Sequence, residues 1–238
     1  MNRTLFLPIL ALLAAVMLLY PAETHAQMPV IVEQLMPDFT LPAIQGGDIT
    51  LSSLKGKTVL LIFPRGRVGD HWCQICHYQY AELVELEQML GLRKKYNMEI
   101  LFVLPYDEEM VKEWAEIFPE QMAVIEGWKN PPDDENLTEN RLRWAELARE
   151  VFPKTFTYED GDTPVPFPIL VDADRELSQR LGLFTTSWDR SDVEQNIPTI
   201  FILDSDGVVQ FKYHSQTTFD RPSYEHLFRV IERMIMTD

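Results

Sequence analysis

Cysteine and basic residues are scarce in this sequence. Its 238 residues include two cysteines, and 21 Lys and Arg stand against 37 Asp and Glu, which gives a formal net charge of −16. Two cysteines are too few for a scaffold built from disulfides. Because an acidic chain repels phosphate backbones and anionic lipid headgroups, the composition argues against nucleic acid and membrane surfaces as partners.

The sequence also lacks linkers and repeats. No Gly- or Ser-rich stretch, internal repeat or long block of like charge divides it. Its hydrophobic content of 46%, with 11% aromatic residues, is that of a chain that buries a core. We therefore expect one elaborated domain over residues 27–238.

The first 26 residues have the composition of a secretory signal peptide. Arg3 gives a basic start, residues 5–19 are almost entirely apolar, and the small residues Thr24 and Ala26 fit a cleavage site after Ala26. The apolar run is short for a membrane span, so a membrane contact is expected only if this segment is retained as an anchor. The pattern predicts a secreted or periplasmic protein, in a compartment where disulfides persist.

The remaining pattern alternates strands with helices. Two continuous apolar runs, residues 58–63 and 98–104, are typical of strands that are covered on both faces. A helical pattern from 73 to about 96 follows the first run, and Asp107 is placed to cap a helix after the second. This order predicts an α/β fold in which helices flank a central mixed β-sheet.

Glycine pairs and turns indicate how this core is elaborated. Gly46 and Gly47 predict a short N-terminal β-hairpin, and the Asp-Gly turn at Gly207 predicts a second hairpin near the C-terminus. Residues 121–164 interrupt the alternation with a polar loop and one amphipathic helix at 138–152. We interpret this stretch as an insertion that packs on the domain.

The chemistry is concentrated where the first buried strand gives way to a helix. Cys73 and Cys76 form a Cys-x-x-Cys pair there, so Cys73 lies at a helix N-terminus, which favours its thiolate. Cys76 lies one turn along on the inward face, within reach of a disulfide. Cys73 is thus the predicted attacking sulfur and Cys76 the resolving one. Arg65 and Arg67 either add positive charge to this site or belong to a solvated loop.

Several motifs, taken in order, resemble those of the thioredoxin-like redoxins. They are Phe39-Thr-Leu-Pro, Leu51-Ser-Ser-Leu-Lys-Gly-Lys before an apolar strand, Trp72-Cys-Gln-Ile-Cys, and Ile197-Pro-Thr followed by the turn Asp204-Ser-Asp-Gly. This superfamily includes the thiol-specific antioxidant peroxiredoxins (the alkyl hydroperoxide reductase family) and the extracytoplasmic thiol-disulfide oxidoreductases, which the sequence resembles most. The resemblance implies a thioredoxin-like fold for most of residues 36–236.

The resemblance also implies roles for individual residues. Trp72 matches the aromatic residue that walls the active site, and Cys73 and Cys76 match the nucleophile and the resolving cysteine. Pro198 matches a cis-proline opposite the disulfide, next to backbone that can pair with an extended substrate. No cofactor and no metal are implied. Peroxiredoxins carry a hydroxyl residue between a proline and the cysteine, whereas no hydroxyl lies between Pro64 and Cys73.

Two functions fit this pair of sulfurs. The main hypothesis is an extracytoplasmic thiol-disulfide oxidoreductase, which exchanges disulfides with disulfide- or dithiol-containing partner proteins. The alternative is a thiol peroxidase, a peroxiredoxin-like antioxidant in which Cys73 becomes a sulfenic acid and Cys76 condenses with it to give a disulfide bond.

Two further classes share some of the same residues. Cys73 to His77 spell the Cys-x-x-Cys-His attachment motif of a c-type haem, although a haem domain would consist of short helices rather than follow a buried strand. A copper-binding redoxin would combine the two thiolates with a histidine such as His214. We keep both as lower alternatives.

Overall fold

A computed structural model of the protein describes residues 29–133, 137–159 and 165–237. The predicted signal peptide, residues 1–26, lies outside the described residues. None of the helices in the three described stretches combines the length and the apolar content that a bilayer crossing requires.

The elements follow one another largely as the sequence predicts. The strands are β1 (Thr40–Pro42), β2 (Asp48–Thr50), β3 (Thr58–Phe63), β4 (Arg67–Val68), β5 (His71–Trp72), β6 (Met98–Leu104), β7 (Ile169–Val171), β8 (Phe184–Thr185), β9 (Gln195–Asn196), β10 (Thr199–Leu203) and β11 (Val209–His214). The α-helices are α1 (Gln74–Leu90), α2 (Leu92–Lys95), α3 (Glu108–Glu116), α4 (Phe118–Lys129), α5 (Glu139–Val151), α6 (Glu176–Arg180) and α7 (Tyr224–Thr237).

Five strands form the central sheet in the order β11-β10-β3-β6-β7. β3 pairs in parallel with β6 and antiparallel with β10, so the sheet is mixed, as predicted. Because every residue of β3 is buried, its alternate side chains enter two different cores. Ile62 faces the core that contains α1, α3 and α7, whereas Phe63 faces the core formed with the β1–β2 hairpin and α6. The fold is the predicted α/β arrangement of a mixed sheet flanked by helices.

The helix after the cysteines is shorter than predicted. Gly91 has a φ of 58°, a left-handed conformation in which its N–H bonds to the Glu87 carbonyl and ends α1. Glycine adopts this conformation without the steric cost that other residues incur. The chain then restarts as α2, so the predicted helix over 73–96 is two helices separated by one residue.

The predicted insertion is joined to the core through helices. Residue 121, its predicted start, lies inside α4, so the predicted boundary falls within a helix. The predicted helix at 138–152 is confirmed as α5, whose first turn is capped by Thr138. Trp144 of α5 packs edge-on against Trp128 of α4, with ring centroids 5.6 Å apart.

Candidate active site

A small hairpin places the cysteines at the end of β3. β4 and β5 pair with each other directly before α1, and the N–H of Cys73 bonds to the Gly66 carbonyl at 3.0 Å. Gly66 has a φ of 80°, and a Cβ built on it would lie 2.5 Å from the Tyr106 hydroxyl. This position therefore needs glycine both for its backbone conformation and for the close approach of Tyr106.

The two cysteines are buried side by side in the reduced state. Cys73 is the N-cap residue of α1, and the N–H of Cys76 bonds to the Cys73 carbonyl at 3.0 Å. The exposed fractions of the two residues are 5% and 3%, and neither cysteine is in a disulfide. The two thiols therefore share one buried site at the start of α1.

The two thiols differ in their pKa values. The hydrogen bond from Cys76 is the main cause that lowers the pKa of Cys73 to about 6, against the opposing effect of burial, and the charges of Arg221 and Arg65 lower it further. The same hydrogen bond and burial raise the pKa of Cys76 well above its usual value. Near neutral pH the pair consists of a Cys73 thiolate beside a protonated Cys76, which is the charge state that the predicted roles require.

Arg65 is part of this site and not of a solvated loop. Only 5% of its surface is exposed, and its backbone N–H points at the Cys76 sulfur at 3.3 Å. The guanidinium donates from Nε to Gln195 Oε1 at 2.7 Å and from Nη1 to Thr218 Oγ1 at 3.1 Å, and it lies 5.0 Å from the centre of the Trp188 ring. Residues from two distant parts of the chain, 188–195 and Thr218, therefore hold one positive charge beside the sulfurs.

Trp72 forms a buried wall next to Cys73. Its ring packs edge-on against Tyr106, with centroids 5.3 Å apart, and its Nε1–H donates to Glu113 at 2.9 Å. The guanidinium of Arg67 lies 5.7 Å from the centre of the same ring. The exposed fraction of Trp72 is 3%.

The prediction of a cis peptide at Pro198 is wrong. No peptide bond in the described residues is cis. The N–H of Ile197 bonds to the Leu183 carbonyl at 2.7 Å, and the Pro198 carbonyl accepts from Ser215 at 3.0 Å. Ile197 thus continues the β8–β9 pairing and Pro198 the β10–β11 pairing, so the chain passes between two extended segments through a trans peptide. Because both backbone groups are already bonded, neither is free to pair with an extended substrate.

Pro198 nevertheless lies close to the resolving cysteine. It is buried, and together with Cys76, Pro64 and Arg221 it lines a cavity of about 10 Å³. This volume is near the minimum that accommodates one water molecule.

His77 is held in a way that leaves no nitrogen free for iron. The residue is fully buried, with Nδ1 lying 3.2 Å from the Cys73 carbonyl and Nε2 lying 2.9 Å from the Trp114 carbonyl. Its ring packs against Trp114 and Phe118 at centroid distances of 4.6 and 4.7 Å. These surroundings do not fit the haem that the Cys-x-x-Cys-His motif would hold, because His77 has no open face and both sulfurs are buried.

The burial of His77 predicts acid sensitivity. Burial lowers its pKa from 6.5 to about 4, so the unfolded chain takes up a proton at higher pH than the folded chain does. The free energy of unfolding should therefore fall as the pH drops from 6.5 towards 4, by up to about 3 kcal/mol from this group alone. Urea unfolding at several pH values should show this loss in the natural chain and a smaller one in His77→Gln. Equal losses in both proteins would contradict the prediction.

His214 lies on the other side of the sheet from the cysteines. It pairs with Thr199, which in turn pairs with Phe63, so these three side chains share the face opposite to Ile62 and α1. Its Nδ1 is 2.8 Å from the Thr199 hydroxyl. Within the described stretches, no three His, Cys, Asp or Glu side chains are grouped so that they could hold a metal ion. The structure does not bring together the donors of the copper alternative.

Arg221, which lies in the loop before α7, is a site residue that sequence reasoning missed. Its Nη1 is hydrogen-bonded within that loop, whereas its Nε and Nη2 are buried and have no partner in the described part of the chain. A lone arginine without a motif, 145 positions from Cys76, carries no signal that could have assigned it to the site.

Comparisons with known proteins agree with this architecture. Residues 32–124, which include both cysteines, match the model of the AhpC/TSA family. A mutant of peroxiredoxin 6 from Arenicola marina shares 16% identity with this chain at a TM-score of 0.57, covering 87% of this chain and 74% of its own. The reduced 2-Cys peroxiredoxin of Plasmodium vivax shares 17% identity at a TM-score of 0.52, with coverages of 87% and 83%.

A comparison with curated proteins found no match. The two solved structures establish the fold, and the family match covers the segment that carries the cysteine pair. Together with the mixed sheet, these findings show a thioredoxin-like fold, and residues 32–124 are similar to the AhpC/TSA family.

Proposed function

We propose that this redoxin is a thiol peroxidase that uses Cys73 as its peroxidatic cysteine and Cys76 as its resolving cysteine. The observation that carries the proposal is the buried Cys-x-x-Cys pair at the start of α1, in which Cys73 is 5% exposed and the charges of Arg221 and Arg65 help to lower its pKa. A small hydroperoxide can reach such a sulfur, whereas a disulfide within a folded partner needs an open groove. The similarity to peroxiredoxins and to the AhpC/TSA family supports the same choice.

The first step oxidises Cys73. Its thiolate attacks the terminal oxygen of the hydroperoxide, the S–O bond forms and the O–O bond breaks, and the alkoxide or hydroxide leaves as an alcohol or water after taking up a proton. Cys73 becomes a sulfenic acid, and the peroxide takes up the two electrons. The hydrogen-bond donor that a hydroxyl residue would provide is missing between Pro64 and Cys73, and the unpaired Nε and Nη2 of Arg221 are suited to replace it.

The second step forms the disulfide. Cys76 attacks the sulfur of the Cys73 sulfenic acid, the S–S bond forms, the S–O bond breaks and water leaves with the Cys76 proton. A thiol reductant then restores both thiols and is itself oxidised to a disulfide. The raised pKa of Cys76 keeps this residue protonated until Cys73 has reacted.

A second candidate is disulfide exchange with partner proteins. It is favoured by the Cys-x-x-Cys pair at a helix start, because the pKa of Cys73 is lower than the pKa of Cys76. The bonded backbone of Ile197 and the low exposure of Cys73 offer less support for it.

Two activities measured on one preparation distinguish the candidates. We expect hydrogen peroxide to be consumed, with a dithiol as reductant, far faster than by free cysteine, and insulin disulfides to be reduced no faster than by the dithiol alone. Reduction of insulin together with peroxide consumption at the rate of free cysteine would overturn the proposal in favour of the second candidate.

We also propose that the protein acts outside the cytoplasm. The support is the composition of residues 1–26, with a basic start and an apolar run before Ala26. N-terminal sequencing of the expressed full-length chain should find a mature protein that begins at Gln27. A protein that keeps its first 26 residues and stays in the cytoplasmic fraction would contradict this.

A further inference from the structure

The loop between β11 and α7, residues 215–222, is organised by the carboxylate and carbonyl of one residue. The Asp220 carboxylate accepts hydrogen bonds from the Tyr213 hydroxyl and from the Gln216 N–H, the latter at 2.9 Å. The Asp220 carbonyl accepts from the Ser215 hydroxyl at 2.8 Å. These bonds give the 215–222 loop a defined shape, so its side chains point in fixed directions.

This shape sets the position of Arg221 beside the sulfurs. Nη1 of Arg221 donates to Ser215 Oγ at 2.9 Å, to the Asp220 carbonyl at 2.8 Å and to the Thr217 carbonyl at 3.2 Å. Arg221 also lines the small cavity next to Cys76. Because all of the acceptors on Nη1 belong to the 215–222 loop, Arg221 moves with that loop.

Besides the bond from Ser215 to the Pro198 carbonyl, two neighbouring residues, Thr218 and Phe219, fasten the loop to the rest of the protein. The N–H of Thr218 donates to Asp189 at 2.6 Å, and its hydroxyl accepts from Arg65. The ring of Phe219, which is 44% exposed, packs edge-on against Trp144 of the inserted helix α5, with centroids 5.7 Å apart. Trp144 rests in turn on Trp128 of α4, so a row of three aromatic rings runs from the insertion to the loop.

We propose that the inserted helix α5 positions the arginine that activates the reactive thiol: through Trp144 and Phe219 it holds the 215–222 loop, and with it Arg221, against Cys73 and Cys76. Trp144 and Phe219 are positioning residues, since they act through Arg221. The inference rests on the proposed function in one respect only, that Cys73 is the reactive thiol.

Several charged or titratable groups face Cys73. They are Arg65 after β3, Arg221 in the 215–222 loop, Cys76 on α1 and Tyr106 after β6, with neutral His77 on its own helix. The charge of Arg221 is one of the causes that keep the pKa of Cys73 low. A loop that is no longer held by Phe219 should therefore leave Cys73 with a higher pKa and less thiolate near neutral pH.

The test is the pH dependence of Cys73 alkylation by iodoacetamide, with the modified peptide identified by mass. We expect the midpoint to rise by about one unit in Arg221→Met, as loss of a neighbouring opposite charge predicts, and to rise in the same direction in Phe219→Ala and Trp144→Ala. In the Arg221→Met background, Phe219→Ala should cause no further rise. Leu142→Ala is the matched control, because Leu142 lies on α5 about 200° around the helix from Trp144.

Each outcome has a clear consequence. An unchanged midpoint in Phe219→Ala, or an equal rise with and without Arg221, would overturn the inference while leaving the proposed function standing. Shifted midpoints without peroxide turnover would overturn the function and leave the inference standing. If Phe219→Ala fails to fold, Phe219→Leu and Trp144→Phe replace the alanine variants, and a midpoint unchanged in both would overturn the inference.

Discussion

Peroxide turnover should disappear in Cys73→Ser, whereas in Cys76→Ser the first peroxide should leave Cys73 as a sulfenic acid and not as a disulfide. Serine at position 73 cannot supply the ionised sulfur, whose pKa of about 6 keeps it a thiolate at neutral pH. Serine at position 76 leaves Cys73 able to attack one peroxide, but no second sulfur remains to displace water from the sulfenic acid. The effect of the first change is complete loss of catalysis, the largest that the site allows.

Rapid mixing with hydrogen peroxide, followed by dimedone labelling, measures both effects. Cys76→Ser should consume one equivalent and give a dimedone adduct on Cys73, and Cys73→Ser should give no adduct. Circular dichroism of both variants should match that of the natural chain, since a Cys-to-Ser change is small. Turnover that survives in Cys73→Ser but not in Cys76→Ser would mean that the two roles are reversed.

The second large effect concerns the pKa of Cys73 and depends on what replaces its neighbour. Because the Cys76 thiol donates the hydrogen bond that contributes most to the low pKa of Cys73, Cys76→Ala should raise that pKa from about 6. Cys76→Ser keeps an O–H donor at the same place and should raise it much less. A rise of one unit would reduce the alkylation rate about tenfold at low pH.

The comparison between alanine and serine separates hydrogen bonding from burial. Both replacements keep Cys73 in the same low-exposure site, and Arg65 and Arg221 stay in place. Alkylation rates of Cys73 measured across pH 4 to 9 give the midpoint in each variant. Equal midpoints in the two variants would show that the charges of the arginines, and not the thiol of Cys76, set the acidity of Cys73.

The sequence was sufficient for the elements whose pattern is local. The continuous apolar runs predicted β3 and β6, because strands covered on both faces need apolar residues at every position. Asp107 was predicted to cap the helix that became α3, and its side chain accepts the N–H of Met110. Gly91 was not foreseen as a helix end, because a single glycine in a helical pattern also occurs within helices.

The candidate site was predictable only where its residues are neighbours in the chain. The spacing of Cys73 and Cys76 predicted a pair at a helix start, and the structure buries both residues at the start of α1. Arg65 could equally have been solvated, since its burial depends on Gln195 and Thr218, which come from distant loops. Pro198 was wrongly assigned a cis peptide, because the hydrogen bonds that fix its conformation come from tertiary pairing.

The most direct test is the state of the two sulfurs after the reduced protein has met one equivalent of hydrogen peroxide. Thiol titration and peptide mass mapping should find both thiols lost together and one disulfide that joins Cys73 to Cys76 within a single chain. Two thiols still free, a disulfide between two chains, or a Cys73 oxidised to sulfinic acid beside an unreacted Cys76 would contradict the account.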